Sequence, residues 1–249
     1  MAQAETTPVR WAPLFGGVAA LFALVHGLAS TLGSMRGEAG LLIAAATVLA
    51  AVLIQRAFFA RNWRESWISL GLGWPRWRSV WIALVLSLLM LCAYPAWLLT
   101  QGGTASLYPN AAWLSLGIFA QAGVAEEALF RGFLFGHLRR RHPFWRAALI
   151  SMIPFALVHM LLFTTMAWPI ALASLLLSIL VSFPFARLYE LGGGTIWAPA
   201  IAHAVVQGAL KIIVLEGPGA EAFPIVWMGA SLAALWLVFL VSFSSDNRS

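Results

Sequence analysis

One uncharged stretch decides the fold class of this chain: SVWIALVLSLLMLCAYPAWLL, from Ser79 to Leu99. It contains no Asp, Glu, Lys or Arg, and its apolar residues do not alternate with polar ones as in a half-buried strand. A helix needs about 20 mostly apolar residues to cross the hydrocarbon core of a bilayer. The stretch therefore predicts a transmembrane helix.

The composition of the whole chain agrees with that prediction. Hydrophobic residues make up 61% of the 249 residues and charged residues only 10%, whereas a typical soluble domain has about 25% charged residues. So little charge cannot cover the surface of a soluble globule of this size. The composition excludes soluble globular, disordered and disulfide-scaffold proteins, and the single cysteine, Cys92, cannot form an intrachain disulfide.

Eight uncharged or nearly uncharged apolar runs occur along the chain, separated by loops rich in Gly, Pro, Asn and Gln. We predict an all-α fold, a polytopic membrane helix bundle of about eight transmembrane helices that forms one integral-membrane domain, residues 1–249. The predicted spans are Trp11–Leu32, Gly40–Phe59, Ser79–Leu99, Ala111–Gly136, Trp145–Phe163, Ala167–Tyr189, Thr195–Leu215 and Ala222–Phe243.

The arginines in the loops predict the orientation of the bundle, because cytoplasmic loops of membrane proteins carry an excess of Lys and Arg. With eight spans, twelve loop arginines fall on one side, and Arg36 alone falls on the other. We therefore predict a cell-membrane protein with both termini in the cytoplasm. The net charge of +6 then reflects this bias, so no nucleic-acid partner is needed. The twelve are Arg10, Arg56, Arg61, Arg64, Arg76, Arg78, Arg139, Arg140, Arg141, Arg146, Arg187 and Arg248.

The loop between spans two and three contains apolar residues at helical spacing, Trp63, Trp67 and Leu70. The remaining positions carry Arg61, Arg64 and Glu65. This pattern is typical of a short amphipathic helix lying flat on the cytoplasmic surface of the membrane. The alternative is an irregular basic loop.

The largest group of intramembrane charges lies in span four, where Glu126, Glu127 and Arg131 occur within six residues. Each charge costs about 2.5–3.5 kcal/mol near the centre of a membrane helix. Glu127 and Arg131 stand at i and i+4, with the acid nearer the amino terminus, so they can form an ion pair. Glu126 points about 100° away around the helix. Two interpretations remain: a packing ion pair beside a polar neighbour, or a site that needs a buried carboxylate.

Two further spans carry histidine. In span five, Phe155 and His159 share a helix face, and in span seven His203 and Gln207 lie one turn apart. A lone histidine in a membrane helix often bonds only to a neighbouring helix, and we give His26 in span one that structural role. The chain has no zinc-protease His-Glu-x-x-His pair, nucleophile elbow or phosphate loop.

In this order, the segments Glu126-Glu127-x-x-x-Arg131, Phe155-x-x-x-His159 and His203-x-x-x-Gln207 resemble the three motifs of the CAAX protease and bacteriocin-processing (CPBP, or Abi) intramembrane proteases. The segment from Gly194 to Pro199 also looks like that family's approach to its third motif. The resemblance covers a core of about residues 111–215. One departure is Gln207, where the family usually has asparagine.

The resemblance implies a peptidase, an intramembrane endopeptidase of the glutamic or metallo type, with a cavity open to the cytoplasm. Glu126 would be the general base that activates a water, with His159 helping to hold it. His203 and Gln207 would stabilise the oxyanion. The supporting residues would be Glu127 and Arg131, which hold the helix in register, and Phe155.

The resemblance also implies the partners of the protein: membrane lipid, and a peptide or membrane-protein substrate, prenylated in some relatives. We expect no cofactor, and the alternative is a zinc ion held by Glu126, His159 and His203 with one open position for water. Two non-peptidase hypotheses remain. One is a non-catalytic scaffold or immunity-type protein, which Gln207 favours, and the other is a proton-coupled transporter that uses Glu126 and His159.

Overall fold

Helices form nearly all of the secondary structure in the computed structural model, which describes residues 10–33, 36–60 and 62–242. Arg61, Arg248 and both chain termini, on which the predicted orientation partly depends, lie outside these residues, as does the side chain of Arg36. The α-helices are α1 Trp11–Leu32, α2 Arg36–Phe58, α3 Trp63–Ser69, α4 Trp77–Leu91, α5 Ala93–Gln101, α6 Ala111–Ile118, α7 Gly136–Arg139, α8 Phe144–His159, α9 Trp168–Leu191, α10 Trp197–Ile212 and α11 Phe223–Trp236.

Shorter elements connect or extend these helices. Two strands, β1 Thr104–Leu107 and β2 Ile213–Glu216, pair with each other, and π-helical segments Phe119–Ala125 and Ala128–Phe135 join α6 to α7. We call the continuous helical stretch 111–139 the glutamate helix. The 3₁₀ segments are Met160–Thr164, Ala220–Ala222 and Leu237–Leu240.

The all-α membrane bundle is confirmed. Among the described residues, six helical segments are long and apolar enough to cross a membrane, and they match predicted spans one, two, three, five, six and eight. Predicted span four is the glutamate helix, and span seven is α10, a regular helix of 16 residues. The six segments are Trp11–Leu32, Gly37–Phe58, Trp77–Gln101, Phe144–Thr164, Trp168–Leu191 and Ala220–Leu240.

The end of predicted span seven is wrong. Helix α10 ends at Ile212, and the next four residues form β2, which pairs antiparallel with β1 from Ile213 opposite Leu107 to Glu216 opposite Thr104. An apolar run such as Ile213–Leu215 suits either a helix or a strand, so composition alone did not separate them. Glycines at positive φ, Gly103 and Gly217, allow the chain to turn beside the strands.

The loops predicted to be cytoplasmic meet at one end of the bundle. Arg10 Nη1 donates to the Phe58 carbonyl oxygen at 2.6 Å, and Arg187 Nη2 donates to the Val241 carbonyl oxygen at 3.0 Å. The β1–β2 pair joins the two connections predicted on the other side. We call the first end the arginine end; its described arginines are Arg10, Arg56, Arg64, Arg76, Arg78, Arg139, Arg140, Arg141, Arg146 and Arg187.

We predict that the arginine end faces the cytoplasm. Topology reporters fused after Arg141 and after Gln101 are expected to report opposite sides of the membrane, with the Arg141 fusion inside, because arginine is retained on the cytoplasmic side. Activity of a reporter that works only in the cytoplasm and of one that works only outside it, measured on both fusions, checks this. Two fusions on the same side would contradict the span count.

The loop between spans two and three contains a helix, the first of the two interpretations given above, but its apolar residues do not all face one way. The Asn62 side chain caps α3 by accepting a hydrogen bond from the Glu65 backbone N–H at 2.8 Å. Trp63 and Trp67 are exposed, whereas Leu70 is fully buried. The position of α3 at the membrane surface stays a prediction.

Close helix crossings at small residues fix the position of the glutamate helix. Gly117 crosses Gly40 of α2, and Gly132 lies against the backbone of Leu70. At Gly123 an added Cβ would stand 2.9 Å from the Ala200 carbonyl oxygen of α10. Small residues let membrane helices approach this closely. The third crossing brings the residues after Ala200 beside the two glutamates.

Candidate active site

The two glutamates lie between two π-helical segments of the glutamate helix. The backbone N–H of Glu126 donates to the Gln121 carbonyl oxygen, and that of Gly136 donates to the Arg131 carbonyl oxygen, both five residues back. Such wide turns are rare and occur frequently at functional sites. They leave Glu126 and Glu127 at a place where the helix departs from regular α geometry on both sides.

Glu127 is the centre of a buried polar cluster. Its side chain is 0% exposed, and its Oε1 accepts hydrogen bonds from Arg131 Nη1 at 2.9 Å and from His203 Nδ1 at 2.7 Å. The ion pair predicted at i and i+4 is therefore present, with a third member from α10. Two donors on one carboxylate oxygen offset part of the cost of burying its charge.

Arg131 is held between two aromatic rings. Its Cζ lies 4.4 Å from the centroid of Phe155 and 5.0 Å from that of Phe185, and Nη2 donates to Ser182 Oγ at 3.4 Å. The face of an aromatic ring attracts a guanidinium cation. The contact places Phe155, predicted to be a supporting residue, against the guanidinium of Arg131. Phe185 and Ser182, both on α9, were missed by sequence reasoning.

His203 connects the two glutamates. A carboxylate oxygen only accepts hydrogen bonds, so the contact with Glu127 assigns a proton to Nδ1 of His203. Its other ring nitrogen, Nε2, lies 3.8 Å from Glu126 Oε2. The ring stacks on Phe185 with 5.0 Å between centroids. His203 can therefore donate to an oxyanion only when Nε2 also carries a proton.

His159 is oriented by its own helix. Nδ1 lies 2.7 Å from the Phe155 carbonyl oxygen, which only accepts, so Nδ1 carries the proton. In the neutral ring, Nε2 is then left with a lone pair that can accept a hydrogen bond from water. Its role in holding a nucleophilic water stays a prediction.

Glu126 faces a cavity of about 300 Å³, with 17% of its side chain exposed. His159 and Gln207 share this cavity, so one residue from each of the three motifs reaches it. Glu127, Arg131, Phe155 and His203 form a buried layer next to Glu126. The cavity is lined by Phe22, Val25, His26, Glu126, Leu129, Phe130, Val158, His159, Leu161, Leu162, Thr164, Thr165 and Gln207.

His26 is a cavity residue that sequence reasoning placed elsewhere. We gave it a structural role because no polar residue accompanies it in span one, yet its ring lines the same cavity as Glu126. Its only sequence signal was a polar side chain within an apolar run. About a hundred residues separate it from the motifs, so no spacing rule links it to them.

The resemblance implies a cavity open to the cytoplasm, and that side, like the orientation of the bundle, stays a prediction. Thr164 and Thr165 follow α8, which starts beside the arginines of residues 139–141 and runs away from them. The cavity therefore lies between the middle of the bundle and the end opposite the arginine end. The course of these helices locates the cavity relative to the arginine end of the bundle.

The described residues contain no group of three His, Cys, Asp or Glu side chains arranged to hold a metal ion. Glu126, His159 and His203 thus do not form a preset ligand group of the kind that zinc sites usually have. Metal-free catalysis remains a proposal.

Comparison with known proteins agrees with the three motifs. No curated protein matches the chain. A family model does match part of it, from just before the glutamate helix to the end of the third motif and slightly beyond. Residues 108–209 match the family described as type II CAAX prenyl endopeptidase Rce1-like, which confirms the predicted resemblance to the CAAX-type intramembrane proteases.

Proposed function

We propose that the protein is an intramembrane endopeptidase that hydrolyses a peptide bond of a membrane-associated or prenylated substrate. The match to CAAX-type peptidases supports the reaction class. The observation that carries the proposal is that Glu126, alone of the two adjacent carboxylates, faces a cavity that it shares with His159 and Gln207. The cavity thus brings together a carboxylate that can act as a base, a ring nitrogen that can accept a hydrogen bond from water, and an amide that can donate one.

In the proposed mechanism, a water lies between Glu126 and Nε2 of His159. Glu126 takes one proton as the water oxygen attacks the carbonyl carbon, and the C=O electron pair moves onto the oxygen. Gln207 donates to this oxyanion, as does His203 when both of its nitrogens are protonated. Glu126 then gives its proton to the amide nitrogen as the C–N bond breaks, which releases an acid and an amine.

The buried layer fixes the position of the base. Oε1 of Glu127 accepts from Arg131 and His203, and the side chain is buried and does not line the cavity, so Glu127 is a poor proton acceptor for a water there. Positioned this way, Glu127 and Arg131 hold the glutamate helix in register, and Phe155 holds the guanidinium. These residues act through Glu126 and are positioning residues in this proposal.

We expect Gln207→Ala to reduce turnover by about 10²–10³-fold, the usual cost of removing one oxyanion donor. Gln207→Asn is expected to retain or raise activity, because it keeps the amide and restores the residue more usual in the resembling family. Initial rates on a peptide substrate check both, with Gln101→Ala, an exposed amide at the end of α5, as the matched control. Equal rates for Gln207→Ala and wild type would remove the donor role.

We expect purified protein in detergent to cleave a farnesylated peptide ending in Cys-aliphatic-aliphatic-X, and to keep its rate after treatment with EDTA, because no step needs a metal. Mass spectrometry of the products locates the cleaved bond. An unprenylated peptide of the same sequence tests whether the lipid contributes to recognition.

Two outcomes would contradict this proposal. Loss of turnover in EDTA with recovery in Zn²⁺ would favour the zinc alternative at Glu126, His159 and His203. Absence of turnover on every membrane peptide tested, with wild-type biological function retained by Glu126→Gln, would favour the non-catalytic scaffold.

A further inference from the structure

A second cavity lies at the arginine end of the bundle and shares no lining residue with the cavity of Glu126. Its volume is about 690 Å³, which falls within the range of about 300–1,000 Å³ that is typical of small-molecule sites. We call it the arginine cavity. The residues that matter for its chemistry are Arg64, Glu65, Gly136, Arg139, Arg140 and Tyr189.

Three parts of the chain that are distant in sequence form the walls of the arginine cavity. Helix α3 supplies Arg64, the end of the glutamate helix supplies Arg140, and the turn after α9 supplies Gly193. Gly193 has a φ of +68°, and a Cβ added there would overlap the guanidinium group of Arg76. Glycine thus lets Arg76 lie against this wall, so a further cation borders the cavity.

The charges that line the arginine cavity are not balanced. Three arginines, Arg64, Arg139 and Arg140, line it together with one carboxylate, that of Glu65. The formal charge of the lining is therefore +2. A cavity with this excess attracts an anion, and the attraction is screened less inside a cavity than on an open surface.

Two of these arginines have no carboxylate partner among the described residues. Arg139 pairs with Glu190, whereas Arg64 and Arg140 are exposed and form no ion pair there. A guanidinium group presents its N–H donors in a planar fork that matches the oxygens of a phosphate group. Two such groups at one cavity form a donor set suited to phosphate.

The hydroxyl group of Tyr189 supplies a third donor at the wall of the cavity. A Cβ added at Gly136 would stand 3.0 Å from the hydroxyl oxygen, so the absence of a side chain there leaves the space beside this group open. A phenolic O–H donates one hydrogen bond, and a phosphate oxygen accepts it.

Exposed aromatic residues beside the cavity indicate that the phosphate belongs to a membrane lipid. Trp63 and Trp67 lie on either side of Arg64 along α3, and Ile68 of the same helix lines the cavity; all three are exposed. Tryptophan is enriched in the headgroup region of a bilayer. Basic pockets between membrane helices at this level bind the headgroups of anionic lipids.

We propose that the arginine cavity binds the headgroup of an anionic phospholipid. Arg64 and Arg140 hold the phosphate, and Tyr189 donates to it from its hydroxyl group. The excess positive charge of the lining selects a headgroup that has no amine to compensate its phosphate. Because the bound headgroup contacts both α3 and the end of the glutamate helix, it stabilises the packing of these two elements.

Lipid binding in detergent tests this proposal without relying on peptidase activity. Phosphatidylglycerol is added to the purified protein in mixed micelles, the midpoint of thermal unfolding is measured, and native mass spectrometry counts the bound lipids. We expect phosphatidylglycerol to raise the midpoint and phosphatidylcholine to leave it unchanged, since a ligand that binds only the folded state stabilises it. Both ends of the bundle are accessible in detergent, so the result does not depend on membrane orientation.

The variants assign the effect to the cavity. Arg64→Gln and Arg140→Gln are each expected to weaken phosphatidylglycerol binding by about tenfold, the usual cost of a hydrogen bond to a charged group, and Tyr189→Phe by about two- to tenfold. The matched control is Arg146→Gln, which removes an exposed arginine that does not line the cavity. Its binding is expected to equal that of the wild type.

Wild-type affinity in the double variant Arg64→Gln with Arg140→Gln would overturn the proposal. An equal loss in Arg146→Gln would also overturn it, because general surface charge would then explain the binding. Glycerol phosphate is the control for the acyl chains: an unfolding midpoint raised as much by it as by phosphatidylglycerol would show a site for free phosphate esters and contradict the lipid. Failure of the proposed peptidase function would leave all of these binding results unchanged.

Discussion

Glu126→Gln is expected to lower peptide turnover by about 10²–10⁴-fold, the usual contribution of a positioned general base. The amide keeps the size and much of the hydrogen bonding of the carboxylate, but it cannot take a proton from water. Because Glu126 is at the cavity surface and bonds no arginine in the described structure, folding is expected to be nearly unchanged. Single-turnover rates and thermal unfolding in detergent, measured on the same preparation, check both parts.

The matched control is Glu221→Gln, which removes an exposed carboxylate from a short 3₁₀ segment far along the chain. Its turnover is expected to equal that of the wild type. Full activity in Glu126→Gln, together with loss of activity but not of stability in Glu127→Gln, would mean that the roles of the two carboxylates are reversed.

Arg131→Ala is expected to destabilise the fold by about 3–5 kcal/mol, because it leaves the carboxylate of Glu127 buried with its cation removed. The side chain also fills the space between the rings of Phe155 and Phe185, so its loss removes packing as well. The midpoint of thermal unfolding in detergent and the folded yield measure the effect.

Arg146→Ala, which removes an exposed arginine at the start of α8, is the control and is expected to have wild-type stability. The double variant Arg131→Met with Glu127→Leu is expected to lose less stability than Arg131→Ala, since apolar residues leave no unpaired charge. An unchanged unfolding midpoint for Arg131→Ala would remove the structural role of the pair.

The sequence predicts the helices well because crossing a bilayer requires long apolar runs. The prediction failed at Ile213–Leu215, because β-branched and aliphatic residues next to a helix continue its apolar run although they form a strand. Only pairing with Thr104–Leu107, more than a hundred residues earlier, distinguishes the two structures. Local composition carries no information on such a partner.

The candidate-site residues could be predicted where placing a charged side chain in the bilayer costs free energy. Glu126, Glu127 and Arg131 are conspicuous in an apolar span for that reason. Phe185, which packs on both Arg131 and His203, was not, because one more phenylalanine in a membrane helix is ordinary. The position of the cavity along the bundle could be found only from the structure, since it depends on which helix ends the lining residues occupy.

The π-helical turns on either side of the glutamates make this helix sensitive to changes in length. Removing one residue rotates the rest of a helix by about 100° relative to what precedes it. Deletion of Val124 or Ala125 would therefore change the angle of Glu126 relative to Gly123 and its crossing partner Ala200, or convert the segment to a regular helix. The motif sequence would be unchanged by such a deletion, but the carboxylate of Glu126 would point in a different direction. The number of residues between the helix crossing and the motif is therefore a requirement of its own. It does not depend on which side chains the motif contains.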